Sequence, residues 1–432
     1  MTRAVRIGAA AVFGLALIAG VLVPGVLMPT GMAQAAAAAD TPCAAGTVQY
    51  SPGTPPALTV LQSSLAWTRS TGAGTLVAVV DSGIDVNNAH LRDAVAGGVN
   101  LVDDGENPSG LSDPDGHGTA IAGEIAARPV AGSGVVGLAP DARLLSVRVF
   151  RGTDDQAVKA GFGPSADRLA AGIRYAAEHG AQVINVSLSD FAKNPALESA
   201  VAEAASRGSL VISSAGNRAT AADKTDGERY PAGYAGALGV AASNDQGVVT
   251  DDSIHGPQVG VVAPGQNVLT SATGAGDCLY AGDTPSTSFA TAYVSAAAAL
   301  LVQAHPTESP AQWAYRLEAT AVRSDPDHRD SRAGWGIIQP SEAITLVPSA
   351  ATRGPTSPFV AAGDGVVHGV DVQLHASSGV SELDTTRGFL IVVLVVGATL
   401  LGTLSAIIVL RRRRSVTAEP KTEPGLLDHR LR

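Results

Sequence analysis

Between about residues 61 and 345, short apolar runs alternate with amphipathic ones. TLVAVV (75–80), RLLSVRVF (143–150), QVINVSL (182–188), SLVISSA (209–215), ALGVAAS (237–243) and QVGVVAP (258–264) are rich in Val, Ile and Leu. They lack a polar face, as strands covered on both sides do. ADRLAAGIRYAAEHG (166–180) and PALESAVAEAASRG (195–208) carry the helical period, and the second opens on Pro and closes on Gly, residues that suit a helix's first turn and its end. Alternating strand and helix predicts an α/β fold: a doubly wound, mainly parallel sheet with helices on both faces and right-handed crossovers. Functional groups in such sheets collect at the carboxyl ends of the strands.

The same pattern changes character at both ends. Residues 1–39 begin with Arg3 and Arg6, continue through a long apolar stretch and finish in small residues, MAQAAAAAD. This reads as a signal peptide cut near Ala35 or Ala39, with an uncleaved anchor as the alternative; either implies export. Residues 40–60 form an N-terminal extension. From 346 to 388 Pro, Gly, Ser and Ala dominate and the alternation stops, as in a tether. Residues 389–410 then give 22 positions without a charge, enough for a helix crossing ~30 Å of hydrocarbon. Arg411, Arg412, Arg413 and Arg414 follow, which places the 411–432 tail in the cytoplasm and the body outside on a single-pass anchor.

Composition changes this picture in two respects. The formal charge of -10 becomes about -16 on residues 40–388 once the basic ends are set aside, which argues against a nucleic-acid-binding surface. Only two cysteines occur, Cys43 and Cys278, and an exported segment permits a disulfide between them, two separate thiols being the alternative. No Cys/His grouping has zinc-site spacing, and no calcium site or cofactor motif is legible.

Candidate chemistry sits at strand ends and helix starts. TLVAVVDSGID ends a strand in Asp81. SDPDGHGTAIAGEIAA holds His117 between Gly116 and Gly118, which let backbone approach an imidazole from both sides. DTPSTSFATAYVSAAAALL (283–301) sets Thr284, Ser286, Thr287 and Ser288 against an Ala-rich run. Taken alone, that cluster reads as helix capping. A Ser hydroxyl becomes a nucleophile when an imidazole takes its proton and a carboxylate orients the ring, and Asp81, His117 and Ser288 supply that set. The order Asp, His, Ser is the subtilisin order, and no G-x-S-x-G surrounds Ser288. VISSAGN adds Asn217, whose amide could donate to the oxyanion of a tetrahedral intermediate.

On these motifs, together with GLAPDARLLSVRVF, VINVSLS, VVAPG and GWGIIQPSEA, the chain resembles the subtilisin-like serine proteases over about residues 61–345. The resemblance implies Asp81, His117 and Ser288 as catalytic triad and Asn217 as oxyanion donor, with Ser187, Leu188 and Ser189 matching the segment that pairs with the substrate backbone. The layout of signal, early Cys, protease domain, tether and C-terminal helix is similar to that of the mycosins, membrane-anchored proteases of type VII secretion. That likeness implies protein substrates, association with a secretion membrane complex, and the outer face of the cell membrane. The space before Asp81 is too short for a folded inhibitory pro-domain, so the N-terminal segment with Cys43 is expected to stay attached and pack on the domain. Three positions depart from the family pattern: Ser286 and Ser189 stand where Gly is usual, and Ala292 where Pro is usual. Ser286 raises the expectation of strain or a narrowed cleft, and with it a second function: a structural subunit of the secretion complex in which proteolysis is dispensable.

Overall fold

The computed structural model describes residues 46–360 and a helix at 382–415. From the N-terminus the elements are α1 (Pro56–Val60), α2 (Ser63–Trp67), β1 (Leu76–Asp81), β2 (Val95–Asn100), α3 (His117–Ala126), β3 (Arg143–Arg148), α4 (Asp155–Lys159), α5 (Ala166–Glu178), β4 (Val183–Val186) and α6 (Pro195–Ser206). There follow β5 (Leu210–Ser214), β6 (Ala237–Ser243), β7 (Val261–Pro264), β8 (Val268–Ala272), β9 (Gly276–Tyr280), α7 (Thr287–Ala304), α8 (Pro310–Ala319), α9 (Pro340–Thr345) and α10 (Glu382–Ser415).

Seven strands form one sheet in the order β2-β3-β1-β4-β5-β6-β7. Every pairing in it is parallel. All six apolar runs named above lie in this sheet, and β4 and β5 are buried at every position. β2 escaped the sequence pattern because it is an edge strand, VAGGVN, with two glycines and mostly half-exposed positions. The antiparallel β8-β9 hairpin was missed too, since its alternation is broken by small and polar residues.

Helices cover both faces. On one, α5 and α6 bury Leu169, Ile173, Leu197 and Val201 against Val80, Val147 and Val186. Burial of α5 at Leu169, Ala170, Ile173, Ala176 and Ala177 follows the helical repeat. Asn194 starts α6 by accepting a hydrogen bond from the Leu197 N–H at 3.0 Å. On the other face lies α7, buried on all sides because Ala-rich faces let the sheet, α3 and α8 approach closely. α1 falls within the expected N-terminal extension, yet Ala57 and Leu58 belong to this same core.

Residues ahead of α1 are stitched to the β8-β9 hairpin. Gly46 N–H donates to Gly274 O and Gln49 N–H to Ala275 O, both at 2.9 Å, while Asp277 N–H donates to Gln49 O at 2.8 Å. The Asp277 carboxylate accepts from Ser51 N–H at 2.8 Å and Ser133 Oγ at 2.6 Å, and its other oxygen meets His90 Nε2 at 2.8 Å. Cys278 is buried on β9; Cys43 lies outside the described residues, as do the signal region, residues 361–381 of the tether and residues 416–432 of the tail.

α10 is a helix of 34 residues that takes in the whole uncharged 389–410 stretch. Among the described side chains of α10, Leu394, Leu400 and Leu401 are exposed.

Candidate active site

Parallel strands deliver three of the expected residues to one edge of the sheet. Asp81 closes β1, Ser187 follows β4, and Asn217 lies three residues beyond β5. α3 and α7 enter from the face opposite α5 and α6, bringing His117 as the first residue of one and Ser288 as the second residue of the other.

His117 and Asp81 meet directly, with the Nδ1–H donating to Asp81 Oδ1 at 2.7 Å. The Asp81 side chain is fully buried, while the His117 side chain keeps 25% of its surface open to the cleft. The same Asp81 oxygen accepts from Ser82 N–H, and Ser82 Oγ accepts from Gly118 N–H, so the turn after β1 and the start of α3 hold each other. This close approach explains the glycines on either side of His117. A side chain at Gly118 would place its Cβ 2.2 Å from Gly83 O, and Gly116 adopts a φ of 91° that L-residues rarely occupy.

Burial alone would lower the His117 pKa. The charge of Asp81 and its hydrogen bond, with help from Asp115 and Asp113, overcome this and raise it from 6.5 to about 9. Asp113 was not singled out in the sequence, although its role is mechanical and clear. Its carboxylate accepts from Gly116 N–H, Thr119 N–H and Thr119 Oγ, tying down the first turn of α3. Burial raises the pKa of Asp113 above the usual carboxylate value, against the hydrogen bonds from Thr119 and Gly116.

Asn217 is held in one orientation by α7. Its Oδ1 accepts from Thr287 N–H at 2.8 Å and Thr287 Oγ at 2.9 Å, which turns the amide nitrogen toward the helix start. There Asn217 Nδ2 donates to Ser286 Oγ at 3.3 Å. Ser286 also caps α7, its hydroxyl accepting from Ser288 N–H at 3.4 Å. The expectation of backbone strain at Ser286 is not met: its φ of -119° and ψ of 130° are ordinary extended values.

The Ser288 hydroxyl donates to Ser187 O at 3.1 Å, and no hydrogen bond joins Ser288 to His117 among the described residues. Ser187 Oγ in turn donates to Ser288 O at 2.9 Å and accepts from Asn185 Nδ2 at 3.0 Å. Ser187, Leu188 and Ser189, with His117, Asn217 and Ser288, line a cavity of about 590 Å³. Asp223 and Arg229 also line it, and buried Arg229 fixes the 223–229 loop, its guanidinium donating to the carbonyls of Asp223, Thr225, Gly227 and Glu228. Among the described residues no group of three or more His, Cys, Asp or Glu could hold a metal ion.

Residues 72–336 match the model of the subtilase family, Peptidase_S8. The chain is 35% identical over 250 residues to an intracellular serine protease of Paenibacillus polymyxa, covering 58% of this chain and 73% of that protein. It is 36% identical over 252 residues to subtilisin E of Bacillus subtilis, covering 58% and 61%. Among solved structures it is similar to MycP1 from Mycobacterium smegmatis, at 30% identity and a TM-score of 0.61, covering 74% of this chain and 93% of that one. MycP3, described as a protease from the type VII (ESX-3) secretion system, aligns at 30% identity and a TM-score of 0.60, covering 70% and 92%. The chain therefore belongs to the subtilase family and is a subtilisin-like serine protease similar to the mycosins of type VII secretion.

Proposed function

We propose that this protein is a membrane-anchored, extracytoplasmic serine endopeptidase that processes secreted proteins at a type VII secretion system. The observation that carries the reading is the 2.7 Å bond between Asp81 and His117, which lines the same cavity as Ser288 and Asn217. The reaction starts with rotation of the Ser288 hydroxyl from Ser187 O toward His117. Neutral His117 takes the Ser288 proton through Nε2 as the oxygen attacks the scissile carbonyl, while Asp81 stabilises the imidazolium. Asn217 Nδ2–H and Ser288 N–H then receive the oxyanion. The imidazolium gives its proton to the leaving amine, and water, activated by the same base, hydrolyses the acyl-enzyme. Ser187, Leu188 and Ser189 pair with the peptide backbone along the cavity wall.

α10 is the anchor in this reading, supported by its uncharged 389–410 stretch and the four arginines after it. A Cys43–Cys278 disulfide fastens the extension, supported by the bonds that already bring Gly46 to Gly274 beside β9. The mature chain keeps this segment. Cleavage-site mapping on co-expressed secreted proteins tests this function: discrete cuts are expected with wild type and none with Ser288→Ala.

A second reading, a structural subunit with dispensable proteolysis, is favoured by one feature: the Ser288 hydroxyl is bonded away from His117. If Ser288→Ala restores secretion in a strain lacking the chain, scaffolding is the main role. Failure equal to the deletion removes that reading.

A further inference from the structure

We infer that the Ser286 hydroxyl is an internal occupant of the oxyanion site, and that its displacement limits the rate at which Ser288 reacts. The inference rests on the proposed function of Asn217 and Ser288. A tetrahedral oxyanion on carbon attached to Ser288 Oγ is received by donors that converge just outside the start of α7. The two available are Asn217 Nδ2 and Ser288 N–H. In this structure both point at one atom, Ser286 Oγ, at 3.3 Å and 3.4 Å. An oxygen that accepts from both donors sits between them, where the oxyanion must go.

Three further observations make the occupancy a property of the side chain. Ser286 N–H donates to Gly265 O at 2.9 Å, so the backbone is fixed. The extended φ of -119° leaves χ1 rotation as the way out. Thr287 locks Asn217 Oδ1 with two hydrogen bonds, so the amide cannot follow a departing hydroxyl by flipping. Both donor distances are long for hydrogen bonds, which makes Ser286 a displaceable occupant and not a permanent block. The parked Ser288 hydroxyl on Ser187 O completes a resting arrangement in which neither nucleophile nor oxyanion site is yet engaged.

The consequence runs opposite to a purely structural role. As the cap of α7, Ser286 would be expected to help, and its removal to harm or do nothing. As an occupant it slows the reaction, so its removal accelerates it. Gly is the informative replacement because it is nearly as good a helix cap as Ser and carries no hydroxyl.

The test uses the full-length, detergent-solubilised protein and an active-site-directed fluorophosphonate. Second-order labelling rates are compared for wild type, Ser286→Gly, Ser286→Ala and Ser286→Thr, with thermal melts as the folding control. Ser286→Gly and Ser286→Ala should label about 2- to 10-fold faster, the range expected for releasing one net hydrogen bond. Ser286→Thr, which keeps the hydroxyl, should stay near wild type. With a peptide substrate, Ser286→Gly should raise kcat and leave KM nearly unchanged, because the oxyanion forms only in the transition state. Equal or slower labelling of folded Ser286→Gly, with wild type itself reactive, overturns the occupant role and leaves the protease reading intact. No labelling of any folded variant overturns both.

Discussion

In the proposed mechanism His117, as the base, determines when the site can work. The adjacent carboxylates, Asp81 first, outweigh burial and hold its pKa at about 9, so the base is mostly protonated at neutral pH. Activity needs the neutral ring, and kcat/KM is therefore expected to rise with pH through a limb centred near 9. Stability runs the other way. A raised imidazole pKa contributes fully below 6.5 and the contribution is lost as pH climbs through about 9. A pH–rate profile of Asp81→Asn should show the limb shifted toward 6.5, with kcat down roughly 10⁴-fold; an unmoved limb would mean another group sets it. Asn217→Ala should reduce kcat by about 10² to 10³. Thr287, which the sequence offered only as a capping hydroxyl, orients Asn217 from 70 positions away along the chain. Thr287→Val, losing the 2.9 Å bond but keeping the N–H one, should lower kcat by less than Asn217→Ala does, with KM little changed.

At the scale of elements, the parallel sheet does most of the positioning, and it was the most legible part of the sequence. Buried strands such as VINV announce themselves by apolar runs, and the residues after them fall at the edge where ligands bind. Asp81, His117, Asn217 and Ser288 stand out as candidates in the sequence because each lies inside a local motif. Asp113 and Arg229 were not, because what they do is hold loops through backbone contacts that only the folded chain brings together. β2 was silent for a related reason: an edge strand half open to solvent carries no apolar signature. Likewise the direction of the Ser288 hydroxyl depends on Ser187, 101 residues distant. The link between the N-terminal segment and the β8-β9 hairpin gives a stability prediction. Asp277 gathers Ser51, Ser133 and His90 while nearly fully buried, so Asp277→Ala strands a buried imidazole and frees the segment. Chemical denaturation should show a loss of about 3 kcal/mol or more, and limited proteolysis should open first near residues 46–55.

At the scale of the molecule, the proposed function gives the protease domain and the long apolar helix separate tasks. α7 and α10 are both long and apolar, but α7 is buried within the domain, where its Ala-rich surface packs the core. The described large apolar side chains of α10 are exposed. Truncation before residue 382 is therefore expected to move the protein from the membrane to the soluble fraction while leaving fluorophosphonate reactivity in place. Recovery of the truncated chain with the membranes would assign the attachment elsewhere.

The proposed function stands or falls with Ser288, activated by His117 and Asp81, as the nucleophile. Mass mapping of the fluorophosphonate adduct on folded, full-length protein tests it most directly. A single adduct on Ser288 is expected, formed faster at alkaline pH and lost in His117→Ala. A folded protein with no adduct, or one whose adduct maps to another residue, would contradict it.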